Sequence, residues 1–136
     1  MDRRQFILSA AALGVAGPAF AASGVDYTPG LVQQELDAGK TVFIDFYTDW
    51  CTTCRAQQRV ISALKSENPD YEANISFVSV DWDKYRNSDL ARGLNIPRRS
   101  TLVVLRGEEE LGRIVAGTRQ SAIRELMDTA LSAAVA

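Results

Sequence analysis

Two cysteines, Cys51 and Cys54, stand in the run Trp50-Cys51-Thr52-Thr53-Cys54, and the chain has no others. A pair at that spacing can cycle between dithiol and disulfide, form an inert bridge, or supply half of a metal site. Histidine is absent, which removes the commonest general base and the commonest zinc ligand. A Ser–His–Asp triad, a Cys–His nucleophile and every histidine-based metal site are thereby excluded. A mononuclear zinc site within one chain would need two carboxylates beside the two thiolates, an unusual set. Redox chemistry is the reading these residues favour. The pair lies between an apolar run and a helical pattern, so Cys51 falls at a helix N-terminus. There the unpaired N–H groups and the helix dipole favour a thiolate, the nucleophilic form. Cys54, one turn later and more buried, is placed to resolve a mixed disulfide.

The elements that position this pair are legible in outline. Thr41-Val42-Phe43-Ile44-Asp45-Phe46-Tyr47 is nearly continuous in apolar residues, the mark of a strand buried on both faces. A helix is expected from Cys51 to about Lys65, with Ala56, Val60, Ala63 and Leu64 on its apolar side and Asn68-Pro69 ending it. Upstream, Thr28 as N-cap and Pro29 in the first turn predict a helix that closes at Gly39, with Leu31, Val32, Glu35 and Leu36 as its stripe. Downstream, Ile75–Val80 reads as a strand, Ser88–Gly93 as a short helix and Thr101–Leu105 as a strand. Gly107-Glu108-Glu109 then turns the chain so that Leu111–Val115 pairs back as a hairpin. Gly117-Thr118 opens a last helix, with Ile123, Leu126, Met127, Ala130 and Leu131 on one face. After the first helix the order is β-α-β-α-β-β-α, in one α/β domain.

A chain of 136 residues with 46% hydrophobic and 24% charged residues has the composition of a single globular domain. Lys plus Arg number 15 against 17 Asp plus Glu, a net charge of −2. A general nucleic-acid binder would carry a basic excess to neutralise phosphates, so no nucleic-acid partner is expected. The first residues have a different character. Arg3-Arg4 precede an uncharged run, Pro18 breaks it, and Ala19-Phe20-Ala21 offers the small–x–small pattern of a signal-peptidase site. This stretch resembles a twin-arginine export leader, with Phe6 two places after the arginine pair; Asp2 and Leu8 depart from that pattern. The alternative is an uncleaved anchor, because Gln5–Gly24 is about as long as a membrane span requires. Its Ala- and Gly-rich core favours cleavage. The expected organisation is therefore a signal peptide over 1–21, a linker over 22–27 and the folded domain over 28–136. Export would place the cysteines in the periplasm, where disulfides persist, with membrane contact only during transit.

The segment from Phe43 through Trp50-Cys51-Thr52-Thr53-Cys54 to Arg55 resembles the strand, active site and helix of the thioredoxin family, and the likeness extends over essentially the whole chain after the leader. The resemblance implies a thioredoxin-like fold, a central mixed β-sheet flanked by helices. It also implies a thiol–disulfide oxidoreductase, similar to periplasmic thioredoxin-like reductases, with Cys51–Cys54 as the redox disulfide. Thr52-Thr53 replaces the Gly-Pro of cytosolic thioredoxin, so an equal redox potential is not implied. Asp45 is the lone charge in the buried strand, where desolvation would raise its pKa; a surface position at a sheet edge is the alternative. The resemblance gives the acid at this position the task of relaying the proton of the buried cysteine, here Cys54.

Trp50 is a candidate for covering the dithiol and contacting substrate, or else packs without a part in the reaction. Trp82 and Tyr85 are expected to pack in the core. Gly117 matches a family glycine that brings its loop close to the active site, or is only a turn. The family sets a cis-proline directly before the strand that faces the dithiol. Here that position holds Ser100, while Pro97 lies three places earlier in Asn95-Ile96-Pro97-Arg98-Arg99-Ser100. The strand register favours Ser100 for the slot, in a trans peptide, since a cis bond before a non-proline costs about 2.5–4 kcal/mol. If its N–H were unused, Ser100→Pro should be tolerated. Arg98 and Arg99 could select acidic substrates or assist the Cys51 thiolate; a solvated loop is the preferred alternative, with Arg99 kept as a substrate-binding candidate.

These features point to a periplasmic thiol–disulfide oxidoreductase that reduces protein disulfides and is itself reduced by a membrane thiol reductase. A monomer without cofactor is expected. A second reading, from a different class, is a protein that holds metal, or a [2Fe–2S] cluster shared across a dimer, since two cysteines per chain would supply the four thiolates such a cluster needs.

Overall fold

The computed structural model describes residues 24–136, so the expected leader lies outside the described residues. A five-stranded mixed sheet has the order β1-β3-β2-β4-β5, with β1 Val25–Asp26, β2 Thr41–Tyr47, β3 Ile75–Asp81, β4 Thr101–Arg106 and β5 Glu109–Val115. β3 runs parallel to both β1 and β2, whereas β4 is antiparallel to both β2 and β5. Six helices complete the described residues: α1 Leu31–Asp37, α2 Thr52–Glu67, α3 Asp70–Asn74, α4 Trp82–Tyr85, α5 Asp89–Gly93 and α6 Gln120–Val135. None among the described residues is long and apolar enough to cross a membrane.

β2 is the middle strand, and all its residues but Tyr47 are buried, as its apolar run predicts. Alternation divides its side chains between two cores. Phe43 joins Leu64 of α2 and Ile123, Leu126, Met127 and Ala130 of α6 on one face of the sheet. Val42, Ile44 and Phe46 join Val32 of α1 and Ala91 of α5 on the other. Asp45, two residues from Phe43, points with it toward the α2 face. Trp82 and Tyr85 pack as expected: the Trp82 ring meets Phe46 edge-on at 6.0 Å, and Tyr85 meets Tyr27 at 4.9 Å.

Several boundaries differ from the sequence expectation for local reasons. Thr28 is not an N-cap. Thr28-Pro29-Gly30 forms a tight turn in which the Leu31 N–H donates to the Thr28 carbonyl at 3.0 Å, and Gly30 takes the left-handed φ of 90°. Pro then Gly at the two central positions suit a type II turn, which delays the helix to Leu31. Val25 and Asp26, expected within the linker, pair with Val78 and Ser79 of β3 as a short edge strand. Two residues carry no periodicity, so this strand and the single turns α3 and α4 had no pattern to announce them. The last helix begins at Gln120 rather than at Gly117-Thr118.

The buried face of α2 also differs. It is formed by Cys54, Gln57, Ile61, Leu64 and Lys65, while Ala63 is exposed and Ala56 and Val60 are only half-buried. Counting apolar residues misplaced this stripe because its inward side includes a glutamine and a lysine.

Candidate active site

The chain leaves β2 at Tyr47 and enters α2 with Cys51 as the N-cap in extended conformation. The Cys54 N–H donates to Cys51 Sγ at 3.1 Å, so the sulfur fills the capping role that a serine or aspartate oxygen usually fills. Cys51 and Cys54 are joined as a disulfide with their Cα atoms 5.2 Å apart. Both are buried, Cys54 fully and Cys51 to within 2% exposure. The helix terminus and the Cys54 N–H both favour negative charge on Cys51 when the pair is reduced.

Ser100 faces this pair. Its Oγ lies 3.1 Å from Cys51 Sγ and 3.1 Å from Cys54 Sγ. It is fully buried, with a φ of 65°, and no cis peptide bond occurs among the described residues. A non-glycine residue in that left-handed region costs of order 1–3 kcal/mol and persists only where its surroundings hold it. Three hydrogen bonds do so. The Ser100 N–H donates to the Phe46 carbonyl at 2.7 Å, and its own carbonyl accepts from the Ala116 N–H at 2.8 Å and from Gln57 Nε2 at 3.0 Å. Pro97 is exposed, and the residue in hydrogen-bond contact with both sulfurs is Ser100. The condition on which Ser100→Pro was expected to be tolerated is not met, because the N–H is in use and the φ lies outside the range of proline.

Gln57 ties the site together and was not singled out from the sequence. Fully buried on α2, it donates from Nε2 to the Gly117 carbonyl at 2.9 Å as well as to Ser100. Gly117 is thus brought next to Ser100. A Cβ at Gly117 would stand 2.9 Å from Ile114 Cγ2, so the loop is close-packed there. The available signal for Gln57 was its spacing, three residues after Cys54 and four before Ile61, where the helix turns inward.

Asp45 is 4% exposed, which excludes the sheet-edge alternative. Burial pushes its carboxyl up to about 7, against the opposing pull of a hydrogen bond from Gln58 and of the Lys65 charge. Gln58 Nε2 donates to Asp45 Oδ2 at 3.3 Å, while Oδ1 has no hydrogen-bond partner. Lys65 is also buried. Its Nζ lies 3.5 Å from Glu72 and 4.0 Å from the Phe77 ring centroid, and burial lowers its pKa. The carboxyl is therefore met by α2 side chains rather than by a hydrogen bond to either sulfur. A group with a pKa near 7 can give or take a proton at neutral pH.

Trp50, the residue before Cys51, is 58% exposed. Its Nε1–H donates to Asp83 Oδ2 at 2.8 Å, and the Arg99 guanidinium lies 4.3 Å from a Trp50 ring centroid. Arg98 donates from Nε to the Arg99 carbonyl at 2.9 Å, and its carbonyl accepts from Thr101 Oγ1 at 2.7 Å. Arg98 and Arg99 are both half-buried, which corrects the preferred expectation of a solvated loop. Arg99, Trp50 and Asp83 form a fixed, partly apolar rim beside Cys51.

Comparison with known proteins places this geometry in context. The family described as Thioredoxin matches residues 27–129. Thioredoxin-2, mitochondrial, of Schizosaccharomyces pombe is 34% identical over 80 residues, 59% of this chain and 56% of that protein. Thioredoxin H-type of Fagopyrum esculentum is 28% identical over 94 residues, 69% of this chain and 76% of that protein. The chain thus spans little more than half the length of the first of these relatives and about three quarters of the second. Among solved structures, Trxlp from Edwardsiella tarda aligns with a TM-score of 0.66 at 25% identity, covering 76% of this chain and 98% of that one. The thioredoxin of Schistosoma mansoni aligns with a TM-score of 0.62 at 23% identity, covering 79% and 94% respectively, a likeness of fold.

Proposed function

The chain belongs to the thioredoxin family, its domain a thiol–disulfide oxidoreductase with Cys51 and Cys54 as the redox-active pair, and on that premise we propose that the protein reduces disulfides of other proteins outside the cytoplasm. The observation that carries the reading is the placement of Cys51, which caps α2 and accepts the Cys54 N–H at 3.1 Å. In the reduced protein, the Cys51 thiolate attacks one sulfur of a substrate disulfide and displaces the other as a thiolate. Cys54 then gives up its proton to Asp45 and attacks Cys51 Sγ. The Cys51–Cys54 bond forms, the mixed disulfide breaks, and two electrons have passed to the substrate.

Trp50 and Arg99 form the rim on which the substrate chain rests, with Ser100 and Gly117 at its inner side. A thiol reductase in the membrane returns the two electrons. Export rests on Arg3-Arg4, the uncharged run and Ala19-Phe20-Ala21. The buried Asp45, with its carboxyl near 7, supports reduction as the direction, since forming the Cys54 nucleophile needs a base at neutral pH.

The deciding experiment is trapping the redox state of Cys51 and Cys54 in cells with a thiol-blocking reagent after acid quenching. A pool held mostly reduced is expected. A mostly oxidised pool overturns the direction. Replacing Arg3 and Arg4 by lysine should leave the protein in the cytoplasm, and unchanged export would overturn the twin-arginine route.

A further inference from the structure

The active-site mechanism assigns no chemical task to the Ser100 hydroxyl, yet this group touches both reacting atoms. Its oxygen lies 3.1 Å from each sulfur, on a residue that is fully buried. Against a disulfide, which has no hydrogen to give, the hydroxyl is necessarily the donor. Its backbone is held at both ends by hydrogen bonds to Phe46, Ala116 and Gln57, which keeps the residue facing the pair, and a hydroxyl hydrogen can rotate toward either sulfur. We infer that Ser100 is a catalytic hydrogen-bond donor shared by Cys51 and Cys54, turning from one sulfur to the other as the negative charge moves between them. The inference rests on the oxidoreductase reading above and adds a residue to it.

The electron balance is unchanged by this role, because the Ser100 proton is never transferred. In the reduced pair the hydroxyl donates to the Cys51 thiolate, adding to the Cys54 N–H already directed at that sulfur. When Cys51 bonds to substrate, its charge is gone. The hydroxyl can then turn to Cys54, for which it is the side-chain donor 3.1 Å away, as that thiol loses its proton and attacks. A hydrogen bond to an ionised sulfur is stronger than one to a neutral sulfur, since charge-assisted bonds are roughly twice as strong. The hydroxyl therefore favours the thiolate over the thiol at each step. A proline in this slot would offer no such hydrogen.

Two substitutions isolate the hydroxyl from the backbone. Ser100→Ala removes it and keeps the side-chain carbon. Ser100→Gly removes it too and accepts the positive φ without strain, so it stands in if the alanine variant folds poorly. The measurement is the pH profile of iodoacetamide alkylation of Cys51 in the reduced full chain, for the parent and both variants. The acid dissociation constant of Cys51 should fall about tenfold in both, as expected for losing one charge-assisted donor. Resolution of a mixed disulfide with a model peptide thiol should also slow. A dissociation constant unchanged in a folded variant overturns the inference, as does a change of opposite sign in the two variants. Insulin-disulfide reduction by the parent keeps the two readings apart. An inactive parent whose variants still show the alkylation shift retains the hydroxyl's role and loses the reductase reading. An active parent with no shift in its variants does the reverse.

Discussion

The Gln57 side-chain amide donates to the Ser100 carbonyl at 3.0 Å, linking the helix that begins at the dithiol to the residue that faces it. The same nitrogen donates to the Gly117 carbonyl, so one buried amide sets the spacing of two loops around the sulfurs. Gln57→Leu keeps the approximate volume and loses both bonds. A buried carbonyl left short of a partner costs roughly 1–3 kcal/mol; Ser100 is partly compensated by Ala116, and Gly117 is only partly buried. Urea denaturation should therefore show a loss of about 2–3 kcal/mol, together with slower disulfide reduction. A variant as stable as the parent would show that water or a backbone shift replaces the amide.

Asp45 carries a pH dependence with a definite sign. Its carboxyl is raised from 3.8 to about 7 by burial, so the native state binds this proton more tightly than the unfolded chain does. The stability linked to it is whole below the unfolded value near 3.8 and is lost as pH rises through about 7. Asp45→Asn stays neutral throughout. It should match the parent near pH 4 and exceed it above pH 7, at most by about 1.4 kcal/mol for each unit of the difference. Disulfide reduction by the variant should be slower and should lack the inflection near pH 7 expected of the parent from its Asp45 carboxyl. Equal activity and an identical pH profile would remove Asp45 from the proton path.

Cys51 is expected to be the attacking sulfur because it caps α2 and accepts the Cys54 N–H. Cys54→Ala should accumulate mixed disulfides with protein substrates on non-reducing gels, and Cys51→Ala should accumulate none. The opposite pattern would reverse the assignment.

The Trp50–Arg99 contact, 4.3 Å from guanidinium to ring, is a cation–π pair at a partly exposed site. Such pairs contribute about 0.5–1 kcal/mol, so a double-mutant cycle with Trp50→Ala and Arg99→Ala should return a coupling of that size. Either change should raise KM for a protein disulfide substrate more than it lowers kcat. An effect confined to kcat would move these residues from substrate contact to chemistry.

Pro97 is exposed. Pro97→Ala should leave insulin-disulfide reduction within about twofold of the parent and stability within ~0.5 kcal/mol, as for surface positions generally. A crippled variant would show that the loop between α5 and β4 controls the site through Pro97.

The sequence by itself determined what depends on neighbouring residues. The dithiol spacing, the missing histidine, the doubly buried strand around Asp45 and the order of the longer elements follow from local chemistry and from periods of two and 3.6 residues. The fall of Ser100 directly before β4 was legible in the same way, by counting back from Thr101. Tertiary structure decided which groups meet across the chain. Ser100 touches Cys51 over a separation of 49 residues, and Gln57 reaches Gly117 over 60. Neither pairing has a local signature, because each is fixed by how α2 and the ends of β2, β4 and β5 pack together. The inward face of α2 was misread for the same reason. A glutamine is buried there with two carbonyls from distant segments accepting its hydrogens, and a lysine with Glu72 and the Phe77 ring beside its charge. Those partners exist only once the sheet has assembled.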